Sequence, residues 1–269
     1  RWVWQRKAKA WKDLNLTLVS PSSWLADCAS SSSLFRDLRV EVIPHGLDTD
    51  KFRPINQRFA REALNLPQNK KLILFGALQA TSDRNKGFHL LQPALAELSK
   101  SGVKDSWEVI IFGASQPENP PDLGFKTHYL GHLHDDLSLA TVYSAADVML
   151  VPSLQESFGQ TASESLACGT PVVAFNSTGL KDIVDHQQSG YLAKPYEVDD
   201  FAKGINWVLE DEQRLQKLSF CAREKAEAKF TLKLQASRYS ALFNEILLAA
   251  SRSSIAHPLY NSEKPSLSI

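Results

Sequence analysis

Glu156 and Glu164 bracket the stretch Ser157-Phe158-Gly159 within DVMLVPSLQESFGQTASESLACGTPVVAF, residues 147 to 175. Two carboxylates this close could be the acid and nucleophile of a glycoside hydrolase, two acceptors for separate hydroxyls, or ordinary solvated acids. Spacing bears on the choice. Eight residues of helix rise about 12 Å, whereas hydrolase pairs sit roughly 5 to 9.5 Å apart. That argues for two separate contacts, although Glu156 precedes the helix and has room to fold back. Gly159 lets backbone approach a ligand closely, and the unpaired N–H groups of a first helical turn carry about half a positive charge, which suits phosphate. An acid beside an anion site is a liability unless it faces something else, and sugar hydroxyls are a natural partner for Glu156. Glu164, further into the helix, could accept from a ribose diol in the same way.

The elements that must position these groups can be read on either side. Val148 to Val151 is a short apolar run stopped by Pro152, and Val172 to Phe175 is another, each suited to a buried parallel strand. A helix fits between them over about residues 158 to 168, closed by Gly169 and Pro171. Strand, crossover helix and parallel strand form a right-handed unit whose first turn opens at the carboxyl end of the sheet, where open α/β folds bind ligands. The theme recurs in KLILFGA, residues 71 to 77, which ends on Gly76 and Ala77 before a helix from about Gly87, and in WEVIIFG, residues 107 to 113. The expected fold class is therefore α/β, a Rossmann-like parallel sheet flanked by helices.

In THYLGHLHDD, His132, His134, Asp135 and Asp136 have metal-ligand chemistry, but they also read as a loop before a helix capped by Asp135 or Asp136. No metal site is expected.

Glu156, Ser157, Phe158, Gly159 and Glu164, followed by Ala167, Gly169, Thr170 and Pro171, resemble the E-x7-E region of retaining family 4 glycosyltransferases, two-domain enzymes of GT-B architecture. The resemblance implies that Glu156 contacts the donor sugar, that Phe158 and Gly159 present backbone to sugar and phosphate, and that Glu164 holds the nucleotide ribose. It also implies that Lys86, beside Gly87 in DRNKGF, grips the donor diphosphate, and that Gly131, His132 and Leu133 border the nucleobase. Thr178 and Gly179 resemble a turn that reaches the donor sugar or phosphate, with Thr178 where a second glycine often stands. Ala77 occupies a position where the family often has arginine. One lysine and a helix terminus supply only about one and a half charges against a diphosphate's two to three, so Arg84 is the candidate for the missing cation. Residues 44 to 54, PHGLDTDKFRP, resemble the family's interdomain link, which places His45 at the edge of the active site.

On this resemblance, residues 1 to 44 are expected to be a remnant of the N-terminal, acceptor-side domain, 45 to 250 the donor-binding domain and 251 to 269 a disordered tail. The last helix, expected over 231 to 249, would cross back toward the other domain. The implied activity is transfer of a sugar from a nucleotide-diphosphate sugar to an acceptor hydroxyl with retention, in polysaccharide or glycoconjugate assembly. The alternative is a non-catalytic nucleotide-sugar-binding module. A phosphorylase-like enzyme would need a pyridoxal phosphate lysine, and nothing singles one out. No cofactor is expected besides the donor substrate; the acceptor would be a glycan or lipid-linked glycan.

Composition narrows the partners. The 30 basic and 30 acidic side chains cancel, giving no global field for nucleic acid. Cys28, Cys168 and Cys221 are scattered, without a C-x-x-C pair, which suggests neither a disulfide framework nor a zinc site and fits a cytoplasmic location. Residues 1 to 14, RWVWQRKAKAWKDL, are basic and aromatic, with Trp4, Ala8 and Trp11 on one helical face. This helix reads either as a surface for peripheral contact with the inner face of a membrane or with nucleic acid, or as a face packing its tryptophans against more of its own domain; the last reading is favoured.

Overall fold

The computed structural model describes residues 2–77 and 79–255. In chain order its elements are α1 (Trp2–Trp11), β1 (Thr17–Ser20), α2 (Ser23–Ser30), β2 (Arg39–Val42), α3 (Gln57–Ala63), β3 (Lys71–Gly76), α4 (Phe88–Leu98), β4 (Trp107–Phe112), β5 (Thr127–Tyr129), α5 (Asp136–Ala145), β6 (Val148–Val151), α6 (Gln160–Ala167), β7 (Val172–Phe175), α7 (Leu180–Ile183), β8 (Gly190–Ala193), α8 (Val198–Leu209), α9 (Glu212–Lys229) and α10 (Leu232–Ile255).

The apolar runs of β3, β4, β6 and β7 are buried almost throughout, as strands covered on both faces must be. They belong to a six-stranded sheet of order β5-β4-β3-β6-β7-β8 in which every pairing is parallel. One face packs residues such as Tyr143, Leu166 and Phe230 from α5, α6 and the end of α9. The other packs Leu91, Leu95, Phe201 and Ile205 from α4 and α8. Strand order runs outward in opposite directions from β3 and β6, so the topological switch point lies between them. The two loops that open there are the ones that carry Lys86 and Glu156. This is the Rossmann-like α/β sheet expected.

Asp147 fixes β6 against β3. Its Oδ2 accepts from the Leu72 backbone N–H at 2.6 Å and from Arg61 Nη2 at 2.8 Å. Both ions are buried, and the guanidinium also donates to the carbonyls of Ala145, Gln68 and Lys70. A buried pair persists only when its remaining hydrogen-bonding groups are satisfied in this way.

Residues before Ile43 form a separate two-stranded parallel sheet, β1 with β2, against which α2 packs. This segment is pinned to the larger sheet's rim. Ser22 Oγ donates to the Ser157 carbonyl at 2.6 Å, and Asp182 accepts from both the N–H and the hydroxyl of Ser23. At its far side Arg39 makes a bidentate contact with Glu245 of α10. Trp11 stacks on Phe35, while Trp2 and Trp4 stay exposed. No helix among the described residues is long and apolar enough to cross a membrane.

Two boundaries differ from the sequence reading. α6 starts at Gln160 instead of 158, because Gly159 has a φ of 111°, outside the helical range. α10 continues to Ile255, so residues 251 to 255, expected within a disordered tail, are helical. Its serines extend a helix already nucleated by the preceding turns. Residues 256 to 269 lie outside the described residues.

Candidate active site

The β6–α6 loop is held rigidly from behind. Glu156 donates its backbone N–H to Thr178 Oγ1 at 3.2 Å, and its carbonyl accepts from the Gly179 N–H at 2.9 Å. Thr178, buried and at a φ of 52°, makes the turn that reaches back to Glu156. Phe158 buries its ring between the edges of His45, 5.2 Å away, and Phe230, 5.6 Å away. His45 thus sits beside the loop. No side chain caps α6, so the first-turn N–H groups that lack an intrahelical partner face outward with the positive end of the dipole.

The β3–α4 loop approaches from the other side of the switch point. Asp83 accepts from the Asn85 N–H to fix a 3-10 turn over Arg84–Lys86, and Asn85 O accepts from the Leu154 N–H at 2.8 Å. Gly87, at a φ of 75°, lets the two loops meet, since a side chain there would place its first carbon 1.9 Å from Pro152 O. The result is a direct ion pair. Lys86 Nζ lies 2.7 Å from Glu156 Oε1, with both side chains largely buried. Ser153 Oγ donates to the same oxygen at 3.0 Å. Arg84 is exposed and makes no ion pair among the described residues. Gly76 ends β3 with the Phe112 ring packed over it.

Glu164 occupies a different setting. Its Oε2 accepts from Tyr143 Oη at 2.9 Å and its Oε1 from Gln160 Nε2 at 3.1 Å. Burial raises its pKa above the usual carboxylate value despite these two donors. Burial, reinforced by the Glu164 charge, pushes the Tyr143 phenol well above its usual value, so it remains a donor. Glu164 lines a cavity of about 190 Å³ with Ala77, Phe112, His132, Leu133, His134, Tyr143 and Thr161. Gly131 stands behind this wall, its carbonyl accepting from the Gly113 N–H at 2.7 Å.

The two glutamates share no hydrogen-bonding partner. One is paired with a cation, the other with neutral donors. Asp135, for its part, caps α5 through the Ser138 N–H at 2.8 Å. Among the described residues no group of three His, Cys, Asp or Glu converges as a metal set would. A second cavity, about 280 Å³, lies at the amino end of the sheet, but its Asp147 is engaged by Arg61 and Leu72.

Sequence reasoning did not identify Ser153, Tyr143 or Gln160. Gln160 was within reach of it, because residues four apart on a helix are neighbours. Ser153 and Tyr143 carry no such signal. Their roles depend on how a loop closes and how α5 packs on α6.

Comparisons with known proteins bear on the family and the fold. The model of the family Glycosyl transferases group 1 matches residues 56–225. A D-inositol 3-phosphate glycosyltransferase of Corynebacterium jeikeium is 33% identical over 233 residues, covering 79% of this chain and 53% of that protein. The protein of the same name from Mycobacterium bovis is 32% identical and is covered over 46% of its length. This chain therefore spans about half the length of the curated relatives it matches. Among solved structures, a sucrose-phosphate synthase of Thermosynechococcus elongatus superposes with a TM-score of 0.75 at 26% identity, covering 91% of this chain and 62% of that one. Anabaena HepE, solved with UDP and glucose, gives 0.68 at 22% identity over 87% of this chain and 65% of its own, a likeness of fold. With more than half of its residues matched by the family model, the chain belongs to the group 1 glycosyl transferases, and its sheet is a GT-B Rossmann-like one.

Proposed function

We propose that this chain is the donor-binding part of a retaining glycosyltransferase that moves a hexose from a nucleoside-diphosphate sugar to an acceptor hydroxyl. The observation that carries the reading is the meeting of Lys86 and Glu156 on the two switch-point loops, the second of which leads into the uncapped α6, whose Glu164 lines a cavity. A nucleoside diphosphate needs that order of groups: an acceptor for the ribose, positive potential for the phosphates, and an acceptor for sugar hydroxyls beyond them. The relatives named as glycosyltransferases and the structural neighbour solved with UDP and glucose support a nucleotide-sugar donor.

In the reaction the bond between the anomeric carbon and the diphosphate oxygen breaks while the acceptor oxygen bonds to that carbon on the same face. The acceptor's proton passes to the departing diphosphate. Negative charge on the diphosphate grows as the bond breaks, so Lys86 and the α6 terminus act more strongly on the transition state than on the bound donor. Arg84 adds a third source of positive charge. Glu156 orients the sugar and Glu164 the ribose, with His132 and Leu133 against the base. The chemistry calls for no cofactor or metal beyond these groups. A glycan or lipid-linked acceptor, in polysaccharide or glycoconjugate assembly at the cytoplasmic face of a membrane, completes the proposal; the exposed Trp2, with Arg6 over its ring, supports a peripheral contact.

Thermal unfolding with UDP, GDP, ADP or free diphosphate tests the donor site. Ligand at about 100 times its Kd adds about 2.7 kcal/mol. One nucleotide should raise the Tm, and the shift should vanish in Lys86→Ala. A cooperative transition that none of them moves would overturn the reading.

A further inference from the structure

Glu156 is pinned at both backbone ends, by Thr178 and Gly179, so rotation of its side chain is the freedom that remains. Two groups restrain that rotation, and both hold the same oxygen: Lys86 Nζ at 2.7 Å and Ser153 Oγ at 3.0 Å. They differ in what else can claim them. Lys86 belongs to the other loop, and a diphosphate entering at α6 competes with Glu156 for its ammonium. Ser153 is 2% exposed and lies on the Glu156 loop itself, out of reach of that competition. Among the described residues, Glu156 Oε2 accepts no hydrogen bond from the protein.

We propose that Ser153 is the positioning residue that keeps the Glu156 carboxylate aimed at the donor sugar once the donor diphosphate has drawn Lys86 away. The inference rests on the donor-site reading above. Lys86 exchanges a carboxylate for a diphosphate. Ser153 retains Oε1, and Oε2 is presented to a sugar hydroxyl. The sugar subsite is therefore completed by binding of the diphosphate beside it, and removal of Ser153 affects ligands that carry a sugar and spares those that do not.

Calorimetric titration of the full chain with UDP, GDP and ADP, each alone and as its glucose conjugate, tests this. In Ser153→Ala the nucleotide that binds wild type should keep its affinity within about twofold, and its glucose conjugate should weaken about tenfold. A merely structural serine would move both alike. Glu156→Gln gives an independent readout: with no carboxylate competing for Lys86, the free nucleotide should bind about threefold more tightly. Equal weakening of both ligands in Ser153→Ala, no change in either, or an unaltered nucleotide affinity in Glu156→Gln would overturn the inference. Wild type binding none of the three nucleotides would instead overturn the donor-site reading on which it rests.

Discussion

Glu156 and Glu164 stand on the same strand-loop-helix segment, yet the surroundings of the first and those of the second hold a carboxylate in opposite ways. Glu156 is paired with an ammonium from another loop, a partner that a phosphate can take over. Glu164 is held by a phenol and a carboxamide, neutral donors with no such competitor, and its burial without a cation raises its pKa. The difference suits the tasks assigned to them. A sugar contact that assembles on donor binding tolerates an exchangeable partner, whereas a ribose contact that anchors the nucleotide needs a fixed one.

The largest expected effect lies at the exchangeable end. Lys86→Ala should lower turnover about 10² to 10³-fold, the loss typical of one preorganised donor to a developing oxyanion. Steady-state kinetics of the active enzyme checks it, and near-normal turnover would remove Lys86 from the charge-stabilising role. At the fixed end the signature is pH. Because the folded-state pKa of Glu164 is raised above 4.5, the native state holds its proton more tightly than the unfolded chain. This group's contribution to stability is therefore largest below 4.5 and is lost as pH rises through the raised value. If Glu164 accepts from the ribose as proposed, the carboxylate is the binding form, and nucleotide affinity should fall as pH drops through that same range, by up to about tenfold per unit. Glu164→Gln should flatten the profile in a calorimetric pH series.

Smaller changes sharpen the comparison. Tyr143→Phe keeps the edge contact with Phe112 but removes a donor to Glu164, and nucleotide affinity should weaken about five- to tenfold with little change in fold. Arg84→Ala should weaken free diphosphate by about threefold or less, since an exposed charge acts through water. An effect as large as that of Lys86→Ala would make Arg84 a direct ligand.

Much of this site was legible because its local grammar is strong. Pro152, Gly169 and Pro171 bound short apolar runs, so β6, α6 and β7 could be placed within two residues. The α5 cap was legible as Asp135 or Asp136, and the structure selects Asp135. The edge strands β5 and β8 were not, since half-buried THY and glycine-led GYLA lack the apolar runs of the central strands. Strand order is a tertiary property, and with it the meeting of Lys86 and Glu156, 70 residues apart, stayed hidden. An acid beside an anion site looked like a liability to be met by sugar hydroxyls. The fold also meets it with the lysine. Tyr143 reaches Glu164 only because α5 packs on α6, and no periodicity announces that.

Deletion of the ribose hydroxyls tests the division of labour most directly. The nucleoside diphosphate that stabilises the chain would be titrated beside its 2′,3′-dideoxy analogue into wild type, Glu156→Gln and Glu164→Gln. The account requires the analogue to bind about tenfold more weakly to wild type and to Glu156→Gln, and the two ligands to bind Glu164→Gln almost equally. If Glu164→Gln still discriminates between them as wild type does, or if Glu156→Gln loses the discrimination instead, the assignment of Glu164 to the ribose and Glu156 to the sugar is wrong.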